Sequence, residues 1–227
     1  MIYKGEHMNS QYAIKVEYDK PHKFFDKYLD NDLKDLSNFL KNKSDEIENA
    51  KIRGVSKLNE KNKELFVESG SISTVKWREY NVFQFYHEGI YNLFSSLSEV
   101  VKEACDYYEI DFKQQQYMVQ GWFNINYHNK GKLDWHDHGA YKAPIFHGYY
   151  CVNAEPSSTY YKIDNDDNRV VENINYNNRM IVSEMGHPHA MGDWNWEGER
   201  ITVAYDILPL KHVKTFTWQE QHWIPLL

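Results

Sequence analysis

From Gln116 onward, short segments rich in Val, Ile, Tyr and Phe alternate with breaks made of Gly, Asn, Asp and Pro. Segments of this length and composition, bounded by turn-forming residues, read as β-strands. The pattern predicts strands at Tyr117–Tyr127, Leu133–His138, Ile145–Asn153, Thr159–Ile163, Arg169–Ile174, Arg179–Glu184, His187–Met191 and Arg200–Leu208, with a further one at Val213–Trp218. No helical period separates them. So many short strands in succession fold as a sandwich or barrel, not as a parallel sheet with crossover helices.

Upstream the period changes. After a short β-like run at Gln11–Tyr18, the residues Phe24, Phe25, Tyr28, Leu29, Leu33, Leu36, Phe39 and Leu40 recur at three- and four-residue steps. That spacing predicts an amphipathic helix or helix pair over Phe24–Glu48. Asn49–Gly70 is polar and reads as a long loop. In Gly89–Ile110 the apolar set Ile90, Leu93, Phe94, Leu97, Val100, Val101, Ala104, Cys105 and Tyr108 follows one helical face, which predicts a helix packed on the outside of a sheet. Between them the aromatic run Tyr80, Phe83, Phe85 and Tyr86 is expected to cover one mouth of the barrel. All-β units reach this size as one domain. The expectation is a single domain over 1–227, with a helical elaboration at 1–115 and a β core at 116–218.

Composition narrows the function classes. The net charge is −7 with both signs spread along the chain, and no basic stripe marks a duplex-binding protein. Aromatics at 16%, including 18 Tyr and 7 Trp, fit a β-rich interior. Cys105 and Cys151 fall in a helical and a strand pattern and are expected to be buried and reduced. Met1–Ser10 carries charges and no apolar run, so no signal peptide is expected, and no stretch has the ~20 apolar residues of a membrane span. A cytoplasmic location follows as the default. Heavy use of Asn, Lys, Ile and Tyr points to an AT-rich, viral or bacterial genome; if viral, the location is the host cytoplasm. The oligomeric state does not follow from the sequence.

Six of the eleven histidines lie between His128 and His189. His7, His22, His87, His212 and His222 have no partner at meaningful spacing and read as structural. His136 and His138 differ, because residues i and i+2 of a strand project to one face and can meet one metal, while Asp137 points the other way. His187-Pro188-His189 lies about fifty residues on, and with His189 as third donor the set is an open three-ligand divalent-metal site. The bland alternative is two unrelated surface His-x-His pairs. Arg200 opens the final strong strand, sharing a face with Thr202. A buried guanidinium beside a hydroxyl near a metal invites a carboxylate ligand; the competing reading is an edge arginine in a surface ion pair.

These residues resemble the iron(II)- and 2-oxoglutarate-dependent dioxygenases, whose core is a double-stranded β-helix or jelly roll. That family has His-x-Asp/Glu, a distal His, and an Arg about ten residues later for the co-substrate's far carboxylate. Here Arg200 lies eleven residues beyond His189. The segments Trp122-Phe123-Asn124-Ile125, His136-Asp137-His138, Gly148-Tyr149-Tyr150-Cys151-Val152 and Arg200-Ile201-Thr202-Val203 are most similar to small phage and bacterial oxygenases of this type, over Gln120–Pro209. The resemblance implies a mostly β, jelly-roll fold with N-terminal supporting helices. It implies Fe(II) on His136, His138 and His189, with 2-oxoglutarate and O₂ as co-substrates. Arg200, Thr202, Asn124 and Tyr149 would contact 2-oxoglutarate; the alternative for Asn124 and Tyr149 is ordinary barrel packing.

One departure stands out: His138 occupies the place of the usual carboxylate ligand. Asp137 with one flanking histidine, or His187 in place of His189, are the alternatives; strand parity disfavours the first and the Arg200 spacing the second. The expected reaction couples decarboxylation to succinate and CO₂ with hydroxylation of a small-molecule or peptidyl substrate. A cupin-like three-histidine dioxygenase that needs no 2-oxoglutarate is the competing enzyme class, although the Glu of the usual cupin motif is missing from Gly139–Pro144. A non-catalytic jelly-roll module holding zinc or nothing is the third reading.

Overall fold

The computed structural model describes residues 20–49, 72–74, 80–114, 116–127, 134–138, 146–163, 169–184, 187–215 and 222–227. Its strands are β1 Phe25–Tyr28, β2 Ile72–Ser73, β3 Tyr117–Tyr127, β4 Phe146–Asn153, β5 Ser157–Lys162, β6 Val170–Asn175, β7 Arg179–Glu184, β8 His189–Met191, β9 Glu199–Pro209 and β10 Ile224–Pro225. Its helices are α1 Leu33–Asn49, α2 Glu88–Tyr107 and α3 Leu210–Thr215. A seven-stranded sheet runs β1-β7-β4-β9-β3-β10, with β2 also on β3; a three-stranded sheet runs β6-β5-β8. Beyond β8 the small sheet is extended by an isolated antiparallel bridge, His136 to His189.

The pairing is that of one long hairpin wound on itself. Its outgoing half is β3, the His136 bridge, β4 and β5; its returning half is β6, β7, β8 and β9. Each outgoing member pairs antiparallel with its returning counterpart: β3 with β9, His136 with β8, β4 with β7, β5 with β6. Successive pairs lie alternately in the large and the small sheet, which is the jelly-roll architecture. The chain is therefore mostly β with supporting helices, as expected.

Both faces of the large sheet are covered, so its strands read as continuous apolar runs more than as alternation. The outer face, with Val119, Phe123, Ile125, Tyr150, Val152, Val182, Ile201, Val203 and Tyr205, packs in one core with Leu93, Leu97, Val101 and Ala104 of α2 and Leu36 and Leu40 of α1. The inner face forms a second, smaller cluster between the sheets: Trp122, Tyr149, Cys151, Ile181 and Ala204, with Tyr161 from β5. Helix α2 is capped by His87, whose Nδ1 accepts from Gly89 N–H at 3.1 Å while Nε2 faces Asp35. Both cysteines are free and buried, and burial pushes each thiol up to about 12, which leaves them inert near neutral pH. Among the described residues no helix is long and apolar enough to cross a membrane.

Three sequence expectations are corrected. Phe24–Glu48 is not helical throughout: Phe25–Tyr28 is an edge strand on β7, and α1 starts at Leu33, where the Asp32 carboxylate accepts from the N–H groups of Lys34 and Asp35. The apolar spacing of Phe24–Leu29 suits either state, and the open edge of β7 decides it. Val213 lies in helix α3, not in a strand, and the rest of that expected strand beyond Thr215 lies outside the described residues. The aromatic run does not cover a barrel mouth: Tyr80, Phe83 and Phe85 pack on the outer core, and Tyr86 is exposed. The expected strand at Gln11–Tyr18 and, past Asn49, the loop to Gly70 lie outside the described residues.

Candidate metal centre

Two short backbone segments present the central histidines. His136 and His189 exchange both backbone hydrogen bonds, at 3.0 and 2.9 Å, and His138 follows two residues on. The donor atoms of His136, His138 and His189 all lie within 4.8 Å of one another. Ring centroids are 4.4 Å apart for His136 and His189, 5.0 Å for His138 and His189, and 5.6 Å for His136 and His138. Asp137 belongs to none of the donor clusters among the described residues, and His189, not His187, joins this one.

Tautomers follow from the oxygen each ring faces. His136 Nδ1 lies 2.7 Å from the Asp134 carbonyl, His189 Nδ1 3.2 Å from the His187 carbonyl, and His138 Nδ1 2.8 Å from an Asp206 carboxylate oxygen. Each Nδ1–H donates to its oxygen, which leaves Nε2 as the nitrogen free to face a metal in all three. Metal-binding imidazoles are oriented in this way by their second nitrogen. Three neutral nitrogen donors on one patch fit a divalent transition metal.

His147 on β4 and Asp206 on β9 were not singled out as site residues, yet they complete the cluster. The two are register partners, and His147 Nδ1 donates to the same Asp206 oxygen at 2.9 Å. The His147 ring is 4.2 Å from His138 and 4.7 Å from His189. Asp206 is thus a shared acceptor behind two imidazoles. It sets a carboxylate from β9 directly behind His138. A signal was present in the sequence: Asp206 falls on the Arg200–Thr202 face of an otherwise apolar strand, where an acid needs a buried partner.

Electrostatics separate His138 from its neighbours. Burial lowers His136, and it takes His147 down to about 4 with help from the His138 charge. His189 lies well below the ordinary range through burial and then through its three histidine neighbours. Burial opposes the charged form of His138, but Asp206 outweighs it and raises the pKa. Burial would raise Asp206; His138 and His147 override it and hold the carboxyl at about 2.

The four residues expected to meet a co-substrate lie on the inner face. Arg200 is 3% exposed, and its Nε donates to Ser157 Oγ at 3.3 Å. Among the described residues no carboxylate pairs with it, and the groups that act on its charge are Cys151, Tyr149 and Tyr161. Thr202 is buried between Asn124 and Cys151 in register. Asn124 accepts from Ser73 Oγ at 2.5 Å, and the Tyr149 hydroxyl donates to Asn175 at 2.8 Å. Those two are engaged with protein partners, so Arg200 is the group in want of an anion. Arg200 and Asp206 sit six residues apart on one face of β9, about 20 Å by strand rise, with the small Ala204 between them.

The fold and these residues define a jelly-roll protein with a buried multi-histidine centre. No protein-family model matches the sequence, and no curated protein matches it. Among solved structures the chain is similar to HygX from Streptomyces hygroscopicus with nickel and 2-oxoglutarate bound, at 10% identity over 82% of this chain and 83% of that one, TM-score 0.47. It is similar also to a non-heme monooxygenase, the ThoJ–nickel complex, at 16% identity over 42% of this chain, TM-score 0.34; the chain spans 45% of that protein, under half its length. Iron-bound HygX aligns at 11% identity over 67% of this chain and 87% of that one, TM-score 0.32. Likenesses this distant leave the chemistry to be read from this chain's own residues.

Proposed function

We propose that this chain is an Fe(II)- and 2-oxoglutarate-dependent oxygenase that hydroxylates a small-molecule or peptidyl substrate. One observation carries the reading: three imidazoles whose donor nitrogens converge at one part of the interior, and on the same interior face a buried Arg200 with no acidic partner among the described residues. A buried guanidinium left unpaired costs several kcal/mol, on the order of the penalty for any desolvated ion, and a ligand carboxylate removes that cost. Under this proposal the histidine cluster and Arg200, on one interior face, together take a ligand that chelates at one end and carries a carboxylate at the other.

In this reading His136, His138 and His189 hold the iron. When bound there with 2-oxoglutarate and O₂, iron supplies the oxidising chemistry: one oxygen atom goes into succinate as CO₂ leaves, and the other into a substrate C–H bond. The chain's own work is positional. Arg200 and Thr202 bind the far carboxylate and so fix the direction of the oxoacid. Asp206 holds His138 in the tautomer that presents Nε2. Trp122, Tyr149 and Tyr161 wall the interior with apolar rings and keep bulk water out.

The test is anaerobic addition of Fe(II) and then 2-oxoglutarate to the metal-free protein, followed by O₂. A weak visible charge-transfer band and release of succinate are expected. Oxygen uptake that ignores 2-oxoglutarate would instead make Arg200 the clamp for a substrate's own carboxylate, as in a cupin-like dioxygenase. No band, no succinate and no iron-dependent oxygen uptake would leave a binding module.

A further inference from the structure

We propose that His22, Glu184 and His187 form a second divalent-metal site, separate from the three-histidine centre and adjoining the same cleft. The three residues come from the segment before β1, the end of β7 and the approach to β8. Their donor atoms lie within 4.8 Å of one another. His22 Nδ1 is 3.7 Å from Glu184 Oε2, and His187 Nε2 is 4.0 Å from the same oxygen. These separations are too long for hydrogen bonds. They are close to the ~3.3 Å between neighbouring donors that tetrahedral bonds of ~2.0–2.1 Å enforce.

A second observation points to a missing ligand. The His22 side chain is 6% exposed, and neither ring nitrogen has a hydrogen-bond partner among the described residues. A buried imidazole must place at least one polar nitrogen against something, and an orphaned one is costly. The neighbours are already oriented for the task. His187 Nδ1 donates to the Lys162 carbonyl at 3.1 Å, which turns Nε2 toward Glu184, and the Tyr108 hydroxyl hydrogen-bonds the Glu184 carboxylate. The His22 and His187 rings meet edge to face at 4.6 Å.

Glu184 and His187 line one small cleft together with His138, His147 and His189. The step His187-Pro188-His189 gives one histidine to each cluster. Two imidazoles and a carboxylate carry one negative charge, where the first centre has three neutral donors. The second site therefore suits a harder divalent ion, with Zn(II), Fe(II) and Mn(II) all within its range. An ion there ties the segment before β1 to the rim of the cleft. This inference stands apart from the oxygenase reading, since it uses none of the same ligands.

Equilibrium dialysis of the full chain against Zn(II), with metal counted by mass spectrometry, tests it. Wild type is expected to hold two equivalents, His22→Ala one, His136→Ala one, and the double variant none. Glu184→Gln, which keeps the side-chain volume, is expected to match His22→Ala, and circular dichroism of the metal-free variants controls for folding. An unchanged count in both His22→Ala and folded Glu184→Gln overturns the second site. An unchanged count in His136→Ala overturns the first centre instead, so the two failures are distinct.

Discussion

His136 and His189 donate to each other's carbonyls, at 3.0 and 2.9 Å. In an antiparallel ladder such residues face each other with side chains on one side. Their rings are therefore held 4.4 Å apart by backbone across fifty-three residues of sequence. The backbone thus fixes two of the three clustered imidazoles, and four consequences of the surrounding geometry can be measured.

Arg200→Met keeps the length of the buried stem and removes its charge. Affinity for 2-oxoglutarate should fall about 100-fold, roughly 3 kcal/mol, because a desolvated ion pair is lost. Metal affinity should not change, and the ligand-free protein should melt no lower than wild type, since an unpaired buried cation is gone. Anaerobic calorimetry with Mn(II) present gives both constants. An unchanged 2-oxoglutarate affinity would place the carboxylate elsewhere.

Asp206→Asn leaves the three ligands in place and removes the anion behind His138. Losing such an orienting partner should weaken metal binding by about 10- to 100-fold. The His138 pKa should drop as well, because burial is then opposed only by the Asp137 charge. A Co(II) titration and a histidine NMR titration read the two effects separately.

Acid should destabilise the metal-free protein well above the carboxylate range. His136, His147 and His189 have depressed values, with His147 at about 4 against an ordinary 6.5. Between those values the folded imidazole is neutral and the unfolded one protonated, so stability falls as pH drops from about 6.5 toward 4. His138 has the opposite sign: its contribution is full below 6.5 and fades as pH rises through its raised folded value. Between pH 4 and 6.5 the His138 contribution is constant, so the three depressed groups give a Tm that climbs across that range. Asp206, at about 2, adds stability lost only below ~pH 4, its unfolded range. Thermal melts in chelator across this range check the slope, and His147→Asn should flatten it.

Gly148→Ala tests how tightly the large sheet is built. A Cβ there would stand 2.0 Å from the Ile181 carbonyl oxygen and 2.6 Å from the Tyr205 ring. The Tyr205 hydroxyl donates to that same oxygen at 2.8 Å, so the ring crosses the strand where only hydrogen fits. Loss of about 3 kcal/mol or more is expected, from overpacking against backbone that cannot yield. Urea denaturation measures it.

Strand parity suggested that His136 and His138 lie together, and the spacing of Arg200 favoured His189 over His187; the structure groups His136, His138 and His189 and puts His187 in a separate cluster. Those are relations of short spacing, so the sequence carries them, even though residues 134–138 form only the isolated His136 bridge and not the expected strand. β3 and β7 were legible to the residue for the same reason: apolar runs bounded by turn formers leave little choice. The edge strand Phe25–Tyr28 was not, because its apolar spacing fits a helix too, and only the unpaired edge of β7 selects the extended state.

Sequence alone therefore indicated the fold class and pointed to His136, His138 and His189, which the fold brings within 4.8 Å of one another. Tertiary structure decided what surrounds them. Asp206 and His147 lie fifty-nine residues apart and meet because β9 pairs with β4 in one register. His22, set aside as structural on spacing, reaches Glu184 and His187 because β1 adds to β7 and carries its preceding segment to that rim. Register between distant strands is set by packing on both faces of the sheet, a property of the folded whole that no local period encodes.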